Sequence, residues 1–309
     1  MERASGTFAP APVRSRLGEF AGIGGLEVIR ECAFSYPAKI LTPSDDVLVP
    51  LVAGGALRDL RGRSGIKGVI TSPELAADVP SELGLAVAPD PMAAHHLIHV
   101  ALAQMEGRLW TDFDTEIDPT ASIHPLAYVA PRNVRIGPDA SILPFAVVHE
   151  RSTIGAGTRL HAHTVIGADA YEIVTINGIQ VLRPQTGAVE VGSDCQILSG
   201  SVITKTAFCG ATLIGDHTVL DCNVTVSHDV QIGTNVRIGG SSWIGGRATI
   251  GNKASIGPGC TIGNGVKVGH RGKVSLGSVV TRDVPEDGHV SGNFAIEHQK
   301  FITFLRTVR

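Results

Sequence analysis

The sequence predicts a mainly β protein whose central part is a parallel β-helix built from six-residue repeats. An aliphatic residue recurs at every sixth position over most of residues 117–280, and a glycine or another small residue tends to follow it. This period fits neither an amphipathic helix nor an alternating strand, whose apolar residues recur at three to four and at two positions. Six-residue repeats are typical of parallel β-helices, in which three hexads form one triangular coil. The composition agrees, because 37 Gly and only 5% aromatic residues suit a core of stacked Val and Ile.

The ladder of aliphatic residues defines a solenoid domain at residues 116–281. It slips by one residue before Ile136 and slips again before Ile214, and it stops between Gly167 and Val191. We expect glycine or small polar residues at the corners of the coils, where the backbone often needs a positive φ. The ladder consists of Ile117, Ile123, Val129, Ile136, Ile142, Val148, Ile154, Leu160, Ile166, Val191, Ile197, Ile203, Ile214, Leu220, Val226, Ile232, Ile238, Ile244, Ile250, Ile256, Ile262, Val268, Val274 and Val280.

The residues before the ladder predict a disordered lead-in and a small α/β domain. Residues 1–15, rich in Ala, Pro, Arg and Ser, predict the lead-in. Residues 16–115 predict the α/β domain, in which Asp90 caps a helix and Pro91 occupies its first turn. The other predicted elements of this domain are buried strands at 45–52, 66–71 and 85–88 and a short helical piece at 57–61.

Three histidines lie in the predicted helix that follows Asp90. His95 and His99 share one helix face, and His96 lies beside them. No acidic residue or cysteine lies close in sequence to complete a metal site, so we interpret the three as surface or packing residues. We predict no metal site in this domain.

The residues after the ladder predict a C-terminal cap. Residues 282–309 leave the repeat, and Pro285, Gly288 and Gly292 interrupt the chain before a predicted helix at about 295–306. A cap is expected here because the last coil of a solenoid would otherwise expose its strand edges.

The gap in the ladder predicts a hairpin that projects from the solenoid. Residues 168–190 form this insert, and two β-rich runs within it flank Asn177 and Gly178. Asn-Gly favours a type I′ turn because both residues tolerate positive φ. A hairpin of this kind adds nothing to the ladder, so it either covers a functional site or is an exposed excursion without a role.

Charge and cysteine content limit the partners that the chain can have. The formal net charge of -3 gives no broad electrostatic case for nucleic acid, and no apolar run is long enough to span a membrane. The first residues lack the apolar region of a secretory signal, and the five cysteines include no CxxC pair. We therefore expect a cytoplasmic protein with reduced cysteines.

The densest group of polar residues on the ladder lies at 213–233. His228 falls at a corner of a coil, where its side chain points outward and could act as a general base. Either Asp229 or Asp221 could fix its tautomer. One coil is eighteen residues long, so His228 stacks on Gly246, whose N–H could stabilise an oxyanion. The spacing alone is equally compatible with an ordinary surface histidine.

The order of these motifs resembles the UDP-3-O-acylglucosamine N-acyltransferases of lipid A synthesis. The matching features are Gly-Ala-Asp at 167–169, the insert, the stretches at 189–197 and 212–233, and Ser-Gly-Asn at 291–293, so that the resemblance covers roughly residues 17–300. It implies a left-handed β-helix, a homotrimer with active sites between neighbouring solenoids, and an N-acyltransferase. It also implies that His228 is the general base, that Gly246 supplies the oxyanion N–H, and that the insert of a neighbouring protomer closes over the substrate.

The resemblance further implies the substrates and their contacts. The acceptor would be a nucleotide-linked amino sugar and the donor the thioester of an acyl carrier protein or of CoA, with no tightly bound cofactor. Asp169 and Tyr171 would contact substrate, and the 16–115 domain would be of a uridine-binding type. His270 is the nearest substitute for the second active-site histidine of the family, whose place falls near Gly265.

The sequence departs from the family in four places. Asp221 is followed by Cys222 where the family has Asn, and the second active-site histidine is missing. The stretch 47–60 lacks the aromatic residues that stack on uracil, and the C-terminal helix is short. The chain could therefore act on another amino sugar or use acetyl-CoA in another polysaccharide pathway.

Other interpretations of the sequence stay open. Lys267, Arg271, Lys273 and Arg282 could meet the phosphates of a donor, or they could form a solvated face. A zinc hydratase on the same fold would need three converging histidines, and the spacing of His217 and His228 does not favour one. A trimer that binds a sugar nucleotide without turning it over is the third possibility.

Overall fold

The protein combines a small α/β unit, a long solenoid and a C-terminal helix. The computed structural model describes residues 13–42, 44–60, 63–292 and 297–307. Most of the predicted lead-in therefore lies outside the described residues, as do Asn293 and the start of the predicted C-terminal helix. No described helix has both the length and the apolar character that a membrane span requires.

The α/β unit is built on a five-stranded sheet with the order β2-β7-β6-β5-β4. Strands β4 to β7 are parallel, and β2 joins β7 antiparallel. Strand β5 is buried along its whole length, as the apolar run at its position predicts. The strands are β1 (Ser15–Arg16), β2 (Glu27–Arg30), β3 (Ala33–Phe34), β4 (Tyr36–Pro37), β5 (Val47–Leu51), β6 (Ile66–Thr71) and β7 (Gly84–Val87).

Helices complete this unit. Helix α1 (Leu57–Leu60) is one turn long, and helix α2 (Pro91–Gln104) packs on the sheet. The Asp90 carboxylate accepts a hydrogen bond of 2.9 Å from the Ala93 N–H, so it caps α2 as its sequence position predicts. Short 3₁₀ turns lie at Leu17–Phe20, Ile23–Gly25, Gly54–Ala56 and Pro73–Asp78.

The solenoid is a left-handed parallel β-helix, which confirms the predicted fold class. Its short strands stack into three parallel sheets, one on each face of a triangular prism. The strands are β8 (Glu116–Ile117), β9 (Ser122–Ile123), β10 (Tyr128–Val129), β11 (Val134–Ile136), β12 (Ser141–Ile142), β13 (Val147–Val148), β14 (Ser152–Ile154), β15 (Arg159–Leu160), β16 (Val165–Ala168), β19 (Ala188–Val191), β20 (Gln196–Ile197), β21 (Val202–Thr204), β22 (Ala211–Ile214), β23 (Val219–Leu220), β24 (Thr225–Val226), β25 (Gln231–Ile232), β26 (Arg237–Ile238), β27 (Trp243–Ile244), β28 (Thr249–Ile250), β29 (Ser255–Ile256), β30 (Thr261–Ile262), β31 (Lys267–Val268), β32 (Lys273–Val274), β33 (Val279–Val280) and β34 (His289–Val290).

We number the three faces by the strand that begins each one. The first face runs from β8 to β31, the second from β9 to β34 and the third from β10 to β33. On every face the ladder residues stack in register, for example Ile203, Val226 and Ile244 on the third face. Nearly all of them are buried, and only the first coil is open, where Ile117 is 44% exposed. Because β34 extends the second face, the stacking of strands continues beyond the predicted limit at residue 281.

The corners of the coils carry glycine and small polar residues, as expected, but also some larger residues. Positive φ occurs at Asn223, Asp229, Asn235, Arg247 and Lys253 as well as at several glycines. Asn and Asp tolerate this conformation because their short polar side chains can bond locally, so the repeat does not need glycine at each corner.

The insert forms the predicted hairpin. Strands β17 (Ile173–Ile176) and β18 (Ile179–Leu182) pair antiparallel, with Ile176 opposite Ile179. Asn177 and Gly178 have φ values of 50° and 78°, as a type I′ turn requires. The hairpin lies against α2 of the α/β unit, so the insert is not an isolated excursion.

All irregularities of the later coils lie on one edge of the prism, between the third and first faces. We call this the insert edge, defined by residues 149–151, 168–188, 205–210, 227–230 and 245–248. The second slip of the ladder is the loop at 205–210 on this edge, and Phe208 of this loop packs its ring against His95 and His99.

Helix α3 (His298–Thr307) follows the last strand of the solenoid.

Candidate active site

His228 lies on the insert edge, on the turn that follows β24. Its side chain is 12% exposed. Since Val226 pairs with Ile244 one coil later, the turn that carries His228 stacks on the turn that carries Gly246. A Cβ atom at position 246 would lie 2.6 Å from Nε2 of His228 and 2.7 Å from its Cε1. Gly246 therefore leaves the space in which the imidazole lies.

Asp229 orients the imidazole. Its Oδ2 lies 2.7 Å from Nδ1 of His228, and its own N–H donates to Oγ1 of Thr212 at 3.0 Å. When the carboxylate accepts the Nδ1 proton, the lone pair of neutral His228 is on Nε2. Nε2, the nitrogen that carries the lone pair, therefore lies against Gly246.

Asp221 does not contact His228, which decides between the two predicted orienting residues. It lies on the edge between the second and third faces, where Oδ1 accepts from the Cys222 N–H at 2.7 Å and Oδ2 from the Gly240 N–H at 3.0 Å. Asp221 thus holds two turns together. The sequence could not separate the candidates because both aspartates lie within one coil of His228.

The Gly246 N–H differs from the N–H groups of its two neighbours in its hydrogen bonding. It has no hydrogen-bond acceptor among the described residues, although Gly245 and Arg247 on either side of it donate to Ile262 and His228 carbonyls. Gly246 itself is buried beneath the imidazole. A backbone donor beside a general base can stabilise negative charge that develops on a carbonyl oxygen.

Glu172 of the insert also faces His228, although no sequence motif predicts this contact. Its Oε1 lies 3.4 Å from Nε2 of His228. Both carboxylate oxygens accept from the Lys39 ammonium, at 2.5 and 2.8 Å. The insert therefore contacts His228 of its own chain, whereas the resemblance implied the insert of a neighbouring protomer. Lys39 lies 133 residues before Glu172, so no local motif links them.

The other residues that were predicted to contact substrate do not lie together beside His228. Asp169 pairs with the buried Lys205 ammonium at 3.1 Å, while Tyr171 is 86% exposed and extends into solvent. His270 follows β31, on the edge between the first and second faces, so one chain does not bring it to His228. Burial is the largest cause that lowers the pKa of Lys205, with neighbouring Arg151 acting in the same direction.

Buried polar residues lie between the insert and the α/β unit. Arg183 follows β18, is 2% exposed and places its guanidinium 4.9 Å from the centre of the Phe208 ring. Nε2 of His99 lies 2.8 Å from Oγ1 of Thr186, and Nε2 of His95 lies 3.2 Å from the Leu48 carbonyl oxygen. Burial lowers the pKa of His95 to about 3 and that of His99 well below its usual value. These histidines are packing residues, as interpreted, and they lie inside the protein.

Two aromatic residues line a cleft between the α/β unit and the insert edge. Tyr36 of β4 and Trp110 lie there with Thr186, Gly187 and Cys209. The Arg151 guanidinium stacks 4.3 Å from the centre of the Trp110 ring.

The remaining charged candidates have other partners. Arg271 pairs with Asp287 at 2.6 Å and with Glu286 at 2.9 Å, so it is not an open phosphate contact. His217 lies 3.6 Å from Asp194 on the edge between the first and second faces, away from His228. Within the described part of the chain, no group of three or more His, Cys, Asp or Glu residues is placed to hold a metal ion.

Comparison with known proteins agrees with the repeat. The bacterial transferase hexapeptide family (six repeats) matches residues 133–168 and 211–246. A UDP-3-O-acylglucosamine N-acyltransferase of Herminiimonas arsenicoxydans is 30% identical over 165 residues, which are 53% of this chain and 47% of that protein. The enzyme of the same name from Leptothrix cholodnii is 28% identical over 226 residues, or 62% of this chain and 63% of that protein. The chain is thus similar to these acyltransferases over part of its length.

The extent of this similarity is partial. The chain spans less than two thirds of the length of the curated relatives that it matches. For example, it covers 28% of a relative from a Janthinobacterium strain that is 31% identical over 98 residues. Among solved structures, a UDP-N-acetylglucosamine acyltransferase from Campylobacter jejuni is 17% identical, with a TM-score of 0.48 over 63% of this chain and 81% of that chain. The fold assignment rests on the strand pairings of the solenoid itself.

Proposed function

We propose that the chain is an N-acyltransferase that moves an acyl group from a thioester to the amine of a nucleotide-linked amino sugar. The observation that carries the proposal is the placement of His228, whose Nε2 lies over Gly246 and whose Nδ1 lies 2.7 Å from Asp229. The similarity to UDP-3-O-acylglucosamine N-acyltransferases supports the substrate class. No tightly bound cofactor is needed, because the thioester is itself a substrate.

His228 acts as the general base in this mechanism. Asp229 accepts the Nδ1 proton, so the lone pair on Nε2 can take a proton from the acceptor nitrogen as that nitrogen attacks the thioester carbonyl. The protonated imidazole then gives the proton to the departing thiolate. Asp229 stabilises the imidazolium that exists between the two steps.

Gly246 stabilises the tetrahedral intermediate. As the amine attacks, the carbonyl oxygen of the thioester becomes an oxyanion that needs a hydrogen-bond donor. The Gly246 N–H lies beside the base and has no acceptor among the described residues. A single donor of this kind is typically worth roughly 10²- to 10³-fold in rate.

The donor is either an acyl carrier protein or CoA. The resemblance favours the carrier protein, and acetyl-CoA is the alternative donor. Either donor places the proposed reaction in the cytoplasm. For the acceptor, we propose that the domain at 16–115 contributes to nucleotide binding, and the cleft that contains Tyr36 and Trp110 supports this.

We further propose that the chain acts as a homotrimer. The outward side chains of the third face are largely apolar, whereas those of the other two faces are mostly polar or charged. The outward residues of the third face are Tyr128, Val147, Val165, Val202, Thr225, Trp243, Thr261 and Val279. A continuous apolar stripe of this kind is typical of a surface that another copy of the chain covers.

The test is a thioester-release assay of wild type and His228→Ala. Acetyl-CoA and a hydroxyacyl carrier protein serve as donors, each with a panel of nucleotide amino sugars. Loss of the general base should lower turnover roughly 10²- to 10⁴-fold. Full turnover by His228→Ala contradicts the mechanism. Turnover only with acetyl-CoA identifies a sugar-nucleotide acetyltransferase, and binding of nucleotide sugar without turnover identifies a binding protein.

A further inference from the structure

The contact between Glu172 and His228 raises a chemical question that the proposed mechanism leaves open. The acceptor nitrogen must approach Nε2 of His228, and that atom faces a carboxylate at 3.4 Å. The Glu172 side chain is only 10% exposed. A buried carboxylate needs a cationic or hydrogen-bonding partner, so its position next to the reacting nitrogen requires an explanation.

Glu172 already holds an ammonium group. The Lys39 Nζ donates to Oε1 at 2.5 Å and to Oε2 at 2.8 Å. A carboxylate can accept about four hydrogen bonds, so a second ammonium can bind to it without loss of the first. Oε1 of Glu172 and Nε2 of neutral His228 are two acceptors 3.4 Å apart, so one ammonium group can donate to both.

Amine acceptors differ from hydroxyl acceptors in the number of protons that they lose. An amine flanked by electron-withdrawing groups titrates near the α-amino group, roughly 7.7–8.0, and is therefore mostly an ammonium ion at neutral pH. It must lose one proton before it can attack and a second as the amide forms. The thiolate recovers one of the two, and the other leaves to solvent. A hydroxyl acceptor loses only one.

We propose that Glu172 is the specificity-determining residue that binds the ammonium form of the acceptor beside His228. This inference rests on the proposed function. Glu172 accepts hydrogen bonds from the ammonium, which loses its first proton to solvent. His228 takes the second proton as the nitrogen attacks the thioester, and it returns this proton to the thiolate.

The charges around Glu172 are consistent with this role. Lys39 approaches from the segment after β4, His228 and Asp229 from the turn after β24, and Arg183 from the end of the hairpin. Behind them lie the buried histidines of α2.

The first experiment compares the pH dependence of wild type and Glu172→Gln. At pH about 6.5 the acceptor is an ammonium ion, and loss of a charged hydrogen bond should lower kcat/KM roughly 10- to 100-fold. At pH about 9 the acceptor is already a free amine, so the defect should shrink severalfold. A defect of equal size at both pH values overturns the proposal, because it would mean that Glu172 only supports the insert. The control is Glu116→Gln, which removes the carboxylate of the exposed ion pair between Glu116 and Arg135 in the first coil.

The second experiment does not depend on turnover. Calorimetric titration with UDP-glucosamine and with UDP-N-acetylglucosamine compares a free ammonium with a neutral amide. Wild type should prefer UDP-glucosamine, and Glu172→Gln should lose that preference, with circular dichroism showing that the variant is folded. A wild type that prefers neither, or binds neither, overturns the proposal. A wild type that shows the preference without any turnover refutes the proposed function and leaves the ammonium site intact.

Discussion

At the residue scale, the imidazole of His228 can keep its position only if residue 246 has no side chain. A methyl group at position 246 would lie 2.6 Å from Nε2 of the imidazole, and Asp229 holds that ring in place. We expect Gly246→Ala to displace the ring by about 1 Å, which can lower kcat roughly 10²-fold. The overpacking should also lower the free energy of unfolding by about 1–3 kcal/mol, measured by urea unfolding.

The same pair allows a control for this prediction. In a His228→Ala background the ring is absent, so Gly246→Ala should cost almost nothing in stability. Such a difference between the two backgrounds is what a double-mutant cycle measures. Gly55→Ala, where the added methyl meets open space, serves as the control for the glycine substitution itself. An equal penalty in both backgrounds would show that the imidazole is not what requires glycine.

Substitution of Asp229 should lower activity, whereas substitution of Asp221 should lower stability and leave activity unchanged. Asp229→Asn removes the carboxylate that accepts from Nδ1, so the imidazole can present the wrong tautomer. We expect kcat to fall roughly 10²- to 10⁴-fold while the fold is kept. Asp221→Asn alters only the bonds to the Cys222 and Gly240 amides, so it should lower the melting temperature and keep turnover. Steady-state kinetics of both variants checks this, and the reverse ranking contradicts the assignment.

At the scale of elements, the ion pair between Lys39 and Glu172 ties the hairpin to the α/β unit. Lys39→Met leaves a buried carboxylate without its cation, which is costly. We expect the hairpin β17–β18 to open more often, so its amides should exchange hydrogen for deuterium faster. The matched control is Lys67→Met, which removes the ammonium of a more exposed ion pair, with Nζ of Lys67 3.8 Å from Oδ1 of Asp46. Unchanged exchange in Lys39→Met would show that packing against α2 alone holds the hairpin.

The buried histidines of α2 make the stability of the protein depend on pH. The pKa of His95 is about 3 in the folded protein, below its value of about 6.5 when unfolded, so the unfolded state binds more protons below pH 6.5. His95 therefore favours folding above pH 6.5, and this contribution is lost as the pH falls. From pH 6.5 to pH 5 we expect His95 to lower the free energy of unfolding by about 2 kcal/mol.

The measurement is urea unfolding at both pH values for wild type and His95→Gln. The variant should be less stable at pH 7 and should lose less stability on acidification. His124→Gln, at a partly exposed turn of the solenoid, is the control and should leave the pH dependence unchanged. A wild type and a His95→Gln variant with equal pH dependence would mean that His95 does not carry the effect.

At the scale of the whole molecule, periodic features could be predicted from the sequence and pairings across the chain could not. The six-residue period places Val226 under Ile244 and hence His228 on Gly246, and Asn177-Gly178 marks the hairpin. Those inferences need only local geometry. The contact of Glu172 with Lys39 depends on how the hairpin folds back on the α/β unit. The choice of Asp229 over Asp221 depends on which edge each turn occupies. The six-residue repeat encodes neither the contact of Glu172 with Lys39 nor the choice of Asp229.

The apolar stripe on the third face determines how copies of the chain should assemble. Trp243 and Val279 point outward from this face and are 39% and 57% exposed in the single chain. A charge in the middle of a buried interface is costly, so Trp243→Glu should convert a trimer into monomers at micromolar concentration. Arg237→Glu, on the outward side of the second face, is the matched control and should leave the trimer intact. Sedimentation velocity of wild type and both variants decides the matter. If wild type sediments as a monomer, the stripe has another partner. If Arg237→Glu dissociates the trimer and Trp243→Glu does not, the interface lies on the second face.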